Sequence, residues 1–68
     1  MNLTAVLMPA IEGGYVANNP ETGTTTQGET IDEAIANLKE ATELYLEEFP
    51  LKPTGRAFLT TFDVAVNA

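Results

Sequence analysis

One segment dominates the sequence. Ile31, Ala34, Ile35, Leu38, Ala41, Tyr45 and Phe49 recur at spacings of three and four residues. At about 100° per residue they fall within about 60° of Leu38, so they form one apolar stripe on a helix. Thr30-Ile31-Asp32-Glu33 stands in front of that stripe as a capping box. Thr30 is placed to accept from the backbone N–H of Glu33, and Glu33 to reach back to the N–H of Thr30. Pro50 helps to stop the run. The spacing therefore predicts a helix from about Ile31 to Glu48, and the rest of the chain must supply the surface that covers its stripe.

The flanking segments read as strands. Leu3 to Met8 is short and largely apolar, and it ends at Pro9. Gly13-Gly14 marks a turn, because glycine reaches positive φ without a Cβ clash. Tyr15-Val16-Ala17-Asn18 follows as a second strand, hairpinned to the first. Asn19-Pro20-Glu21-Thr22-Gly23 is a second turn cluster. Thr24-Thr25-Thr26-Gln27 fits a short third strand at an edge. Beyond the helix, Leu51 to Arg56 reads as a loop. Phe58, Phe62, Val64 and Val66 then alternate with Leu59, Thr61, Asp63, Ala65 and Asn67, and this period of two predicts a fourth strand. The expected fold is a single α+β domain over 1–68, two-layered, in the order β-β-β-α-β. A right-handed crossover would place strand four beside strand one, giving the sheet order 3-2-1-4.

One helix covers one face of such a sheet. If Leu3, Leu7, Tyr15, Phe62 and Val64 face the helix, then Val6, Met8, Val16, Leu59 and Ala65 face away from it. That is too much apolar surface for a solvated face, and it predicts a contact with another chain. The alternative is a one-residue slip in one strand's facing. Size favours association. A core in a chain below about 70–80 residues seldom supplies more than about 3–5 kcal/mol. The sequence has no Cys and no His, so neither disulfides nor a Cys/His metal site can staple it. A homodimer or homotetramer is expected.

Composition limits the function. The 68 residues carry 3 basic and 10 acidic side chains, a net charge of −7, which disfavours direct nucleic-acid binding. The hydrophobic fraction of 44% is close to that of globular domains, which argues against disorder. No apolar run approaches the roughly 18 residues of a membrane span, and Met1-Asn2-Leu3-Thr4 lacks the positive charge of an export signal, so a cytoplasmic protein is expected. Without His or Cys there is no imidazole base and no thiol nucleophile. The segment Leu3 to Met8 has no carboxylate, and the final strand offers only Asp63. No enzymatic activity and no cofactor or metal is expected. Glu33, Glu40, Glu43 and Glu47 line one helix stripe opposite the apolar one. They read either as an ordinary solvated face or as a surface for a basic partner. Glu47 and Glu48 lie in the last turn, where the helix dipole disfavours anions by about 0.3–1 kcal/mol each.

The order of motifs adds a further expectation. Gly13-Gly14-Tyr15-Val16-Ala17, Pro20-Glu21, Thr26-Gln27-Gly28-Glu29-Thr30, Glu33 to Ala41 and Glu43 to Glu48 together resemble the HicB antitoxin family. Thr22-Gly23-Thr24 stands where that family commonly has a Leu-Pro-Gly-Cys-like stretch. Many members add a C-terminal DNA-binding domain, which is not expected in a chain ending at Ala68. The resemblance implies a partial RNase H-like fold without catalysis. It also implies a partner, a small basic HicA-type toxin that cleaves mRNA, which Glu33, Glu40, Glu43 and Glu47 would meet. The alternative is an orphan HicB-like oligomer with a structural or ligand-binding role.

Overall fold

The structure, a computed structural model, describes residues 1–51 and 55–67. Its elements are β1 (Val6–Pro9), β2 (Tyr15–Asn18), β3 (Thr25–Gly28) and α1 (Ile31–Glu48). They form an α+β fold, a three-stranded antiparallel sheet in the order β1-β2-β3 with one helix on one face.

The β1–β2 turn closes with Ala10 O accepting from Gly13 N at 3.1 Å and Gly14 O accepting from Ala10 N at 3.0 Å. Gly14 has φ +74°, and a Cβ there would lie 2.6 Å from Gly28 O, so both the turn and the neighbouring strand require glycine. Pairing sets Leu7 opposite Ala17 and Ala17 opposite Thr26, while Met8 lies opposite Val16 and Val16 opposite Gln27. The first row faces the helix. Ala17 is fully buried, and Thr26 Oγ1 donates to Ala34 O at 3.0 Å. The second row lies on the outer face, because successive side chains alternate across a strand.

The helix bounds agree with the sequence. Glu33 N donates to Thr30 Oγ1 at 3.1 Å, the front half of the capping box. The back half closes one residue earlier than expected, since Glu33 Oε1 accepts from Glu29 N at 3.0 Å. At the other end Phe49 N donates to Tyr45 O at 2.8 Å, and the two rings lie 5.0 Å apart. The buried helix line is Ala34, Leu38 and Thr42, each four residues on. The core is Ala17, Ala34 and Leu38, with Leu7 and Tyr15 packed against it.

The expected fourth strand is a correction. Residues 55–67 carry no strand, and Phe58, Phe62, Val64 and Val66 are 74–88% exposed. The cause is physical. An alternating pattern marks a segment able to form a strand, but a strand makes no hydrogen bonds of its own and exists only on a partner edge. Leu59 and Ala65 therefore do not join Val6, Met8 and Val16 on one face. Nor do Phe62 and Val64 join Leu7 and Tyr15 against the helix. The middle of the expected loop, 52–54, lies outside the described residues.

Candidate functional site

The turn after β2 builds a polar knot. Asn19 is 1% exposed, yet both ends of its amide are used. Its Nδ2 donates to Thr4 O and to Glu21 Oε1, both at 2.7 Å, while its Oδ1 accepts from Thr22 N at 2.9 Å. Thr22, Thr24 and Thr42 continue the network through their hydroxyls, with Thr24 Oγ1 2.8 Å from Thr42 Oγ1, which ties the turn to the helix. Buried polar groups are tolerated because they are paired in this way.

Glu21 is the hub that joins three parts of the chain. Its Oε2 accepts from Ala57 N at 2.6 Å and from Thr4 Oγ1 at 2.9 Å, and its Oε1 accepts from Thr4 N at 2.8 Å. The Ala57 amide, then the Thr4 amide, and further the Thr4 and Asn19 side chains hold this carboxyl down at about 2, against a partial burial that raises it. Because the folded value lies below the ordinary one of 4.5, the ionised form stabilises the fold at any pH above about 4.5. That contribution fades as the pH falls from about 4.5 toward about 2. Glu21→Gln puts an amide NH₂ where backbone donors converge. We expect it to lower the urea midpoint at about pH 7 and to release the Ala57 amide to hydrogen exchange, with the gap to wild type closing at about pH 2. A gap independent of pH would contradict this role.

Beside the knot lies a groove of about 470 Å³ between residues 1–5 and the flank of α1. Leu3, Ala5, Ile35, Leu38 and Leu46 give it an apolar lining, and Lys39 and Glu43 stand at its side. The helix overhangs the sheet here: Ile35, on the stripe expected to be covered, is 40% exposed. The adjoining strand, β1, is an edge of the sheet. The opposite edge strand, β3, is engaged by the helix, with Asn37 Nδ2 donating to Gln27 O at 2.8 Å.

The structure places Glu33, Glu40, Glu43 and Glu47 on the exposed side of α1. They are not equivalent. Glu33 is committed to the helix cap and lines a small polar cleft with Tyr15 and Gln27, and Glu43 borders the apolar groove. Val6, Met8 and Val16 share the outer sheet face, where Met8 is 61% exposed. Leu59 and Ala65 lie on the exposed tail. Sequence reasoning missed the groove and the Glu21 hub, since Pro20-Glu21 gave no signal beyond a turn. It also missed Thr42, although its spacing from Ala34 and Leu38 extends one buried line. Among the described residues no three acidic side chains gather as a metal site requires. No described helix is long and apolar enough to cross a membrane.

No family model matches the chain, and no solved structure matches it. Three curated proteins of Synechocystis sp. are similar to it. The UPF0150 protein ssr1765 is 47% identical over 47 residues, which covers 68% of this chain and 60% of that protein. The UPF0150 protein ssl0738 is 49% identical over 47 residues, covering 68% and 65% respectively. The UPF0150 protein ssl0259 is 42% identical over 48 residues, covering 69% and 66%. The matched part thus spans 60–66% of the length of these relatives. The homologues of this chain are UPF0150 proteins.

Proposed function

We propose that the chain is a HicB-like, antitoxin-type binding module that neutralises a small basic HicA-type ribonuclease by protein–protein contact, without catalysis of its own. The observation that carries this reading is the exposed acidic side of α1. Glu40, Glu43 and Glu47 face solvent together on a chain of net charge −7. A basic ribonuclease holds RNA through its positive surface, and an acidic rod of this kind competes for that surface. The order of motifs from Gly13 to Glu48 supports the same reading by its resemblance to HicB antitoxins. In this proposal Phe58 to Val66, which pairs with no strand in the structure, takes the place beside β1 that the order 3-2-1-4 of the partial RNase H-like arrangement requires. A cytoplasmic site of action goes with it.

The stripe is tested by reversing Glu40, Glu43 and Glu47 to Lys. Each reversal adds two positive charges, which takes the net charge from −7 to −1. Stopped-flow mixing with the basic ribonuclease should show association slowed about 10-fold or more at low salt, with a flattened salt dependence. An unchanged rate at low salt would leave the stripe as a solvated helix face.

A further inference from the structure

Ala57 is half-buried and its amide donates to Glu21 Oε2 at 2.6 Å, whereas every residue from Phe58 to Asn67 is exposed. Through its other oxygen the same carboxylate accepts from Thr4 N at 2.8 Å. One side chain thus holds Ala57 beside Thr4, which lines the groove and stands two residues ahead of β1. Leu3 and Ala5 line that groove too, and Leu7, of the same alternation, packs on the core.

We infer that Glu21 makes the segment Phe58 to Val66 a strap, hinged at Ala57, that closes onto the groove and the free edge of β1 of its own chain, parallel to β1 and with Phe58 and Phe62 turned inward. This rests on the reading that the segment takes the place beside β1, and adds what fixes its ownership, its direction and its facing.

Three observations carry it. The first is tethering. Phe58 follows a residue already held at the groove, so its local concentration there is of the millimolar order that a short linker gives. A second copy at micromolar concentration is outcompeted about 1,000-fold. The second is direction. Thr4 precedes β1, so the strand edge lies ahead of Ala57 in the chain sense of β1. A segment that covers the edge from that anchor runs parallel to it, as the order 3-2-1-4 requires. The third is parity. With Ala57 beside Thr4, Phe58 falls beside Ala5, and Phe58, Phe62, Val64 and Val66 share the inner face, with Thr60 the one polar member of that set. Asp63 then stays in water. A slip of one residue would carry Asp63 inward and both rings outward. The anchor and the apolar pattern are independent of each other, and they select the same register. On closing, each ring loses about 150–250 Å² to the groove, and the free strand edge is covered. Glu40 and Glu47 lie outside the groove, so the closed strap leaves them open.

The test dilutes isotope-labelled full-length chain into an excess of unlabelled chain and records NOEs within the labelled copy. The strap predicts contacts of the Phe58 and Phe62 rings with the Leu3, Ala5 and Ile35 methyls, undiminished by the excess. Ala57→Pro removes only the N–H that Glu21 holds and leaves Thr4 and Asn19 on the carboxylate. It should lower the hydrogen-exchange protection of the tail amides about 10-fold or more while the helical circular dichroism persists. The titration midpoint of Glu21 should rise with it. Contacts made instead by Leu59 and Thr61, or unchanged protection in Ala57→Pro, would overturn Glu21 as the hinge and leave the completed sheet standing. Contacts that vanish in the excess would mean a segment from another copy, and would likewise overturn the strap alone. Absence of contacts from the tail to the groove would overturn the strap and the completed sheet together.

Discussion

Gly28→Val is expected to leave the chain unfolded at room temperature. The position is not a turn glycine; what it needs is room. A Cβ on Gly28 would lie 2.4 Å from Ala34 N and 2.8 Å from both Ala34 Cα and Glu33 C. All three are backbone atoms of the first helical turns, so no side-chain rotation relieves the clash. The helix must lift off the sheet, breaking the bond from Thr26 Oγ1 to Ala34 O and opening the contact of Ala34 with Ala17. Overpacking typically costs about 1–3 kcal/mol where side chains can yield. Here the obstruction is backbone, and the total margin of a chain this small is about 3–5 kcal/mol. Gly28→Ala should already lower the urea midpoint strongly. Equal midpoints for wild type and Gly28→Ala would mean that α1 does not cross β3 at Ala34.

Leu38→Ala is the second large effect. Ala17, Ala34 and Leu38 form the buried core, and Leu38 is the largest of the three, 5% exposed. Its truncation leaves a cavity between sheet and helix, and such changes cost about 2–5 kcal/mol. That range overlaps the whole stability expected of the chain. Leu44→Ala is the matched control: the same substitution on the same helix, at a residue 59% exposed. Thermal unfolding followed by circular dichroism should show a large loss for Leu38→Ala and little change for Leu44→Ala. Similar losses for both would mean that the buried line of α1 is misplaced.

What could be read from the sequence follows the range of the interactions involved. The helix was legible to the residue, because its cap at Thr30 and its stripe through Leu38 are local patterns with one period. The β1–β2 hairpin was legible because Gly13-Gly14 fixes a turn and the flanking residues alternate. β1 was expected from Leu3 but begins at Val6, and β3 is shifted by one residue to Thr25–Gly28, since strand ends are set by pairing. The tail was legible as strand-forming and not as a strand, because its partner edge is a tertiary fact. The sequence marks Asn19 and Glu21 only as turn residues. That their side chains gather Thr4, Thr22 and Ala57 depends on segments up to 36 residues away. The acidic stripe was visible as an angular pattern, but the pattern alone did not separate Glu33, used by the cap, from Glu40 and Glu47, which are free to meet a partner.

The proposed role has one direct measurement. A purified HicA-type ribonuclease is allowed to cleave RNA while this chain is titrated in at low salt. The role predicts that cleavage falls with added chain and stops near stoichiometric ratio, and that the Glu40, Glu43 and Glu47 reversals restore it. Undiminished cleavage in a large excess of chain, with its helical circular dichroism intact, would contradict the role.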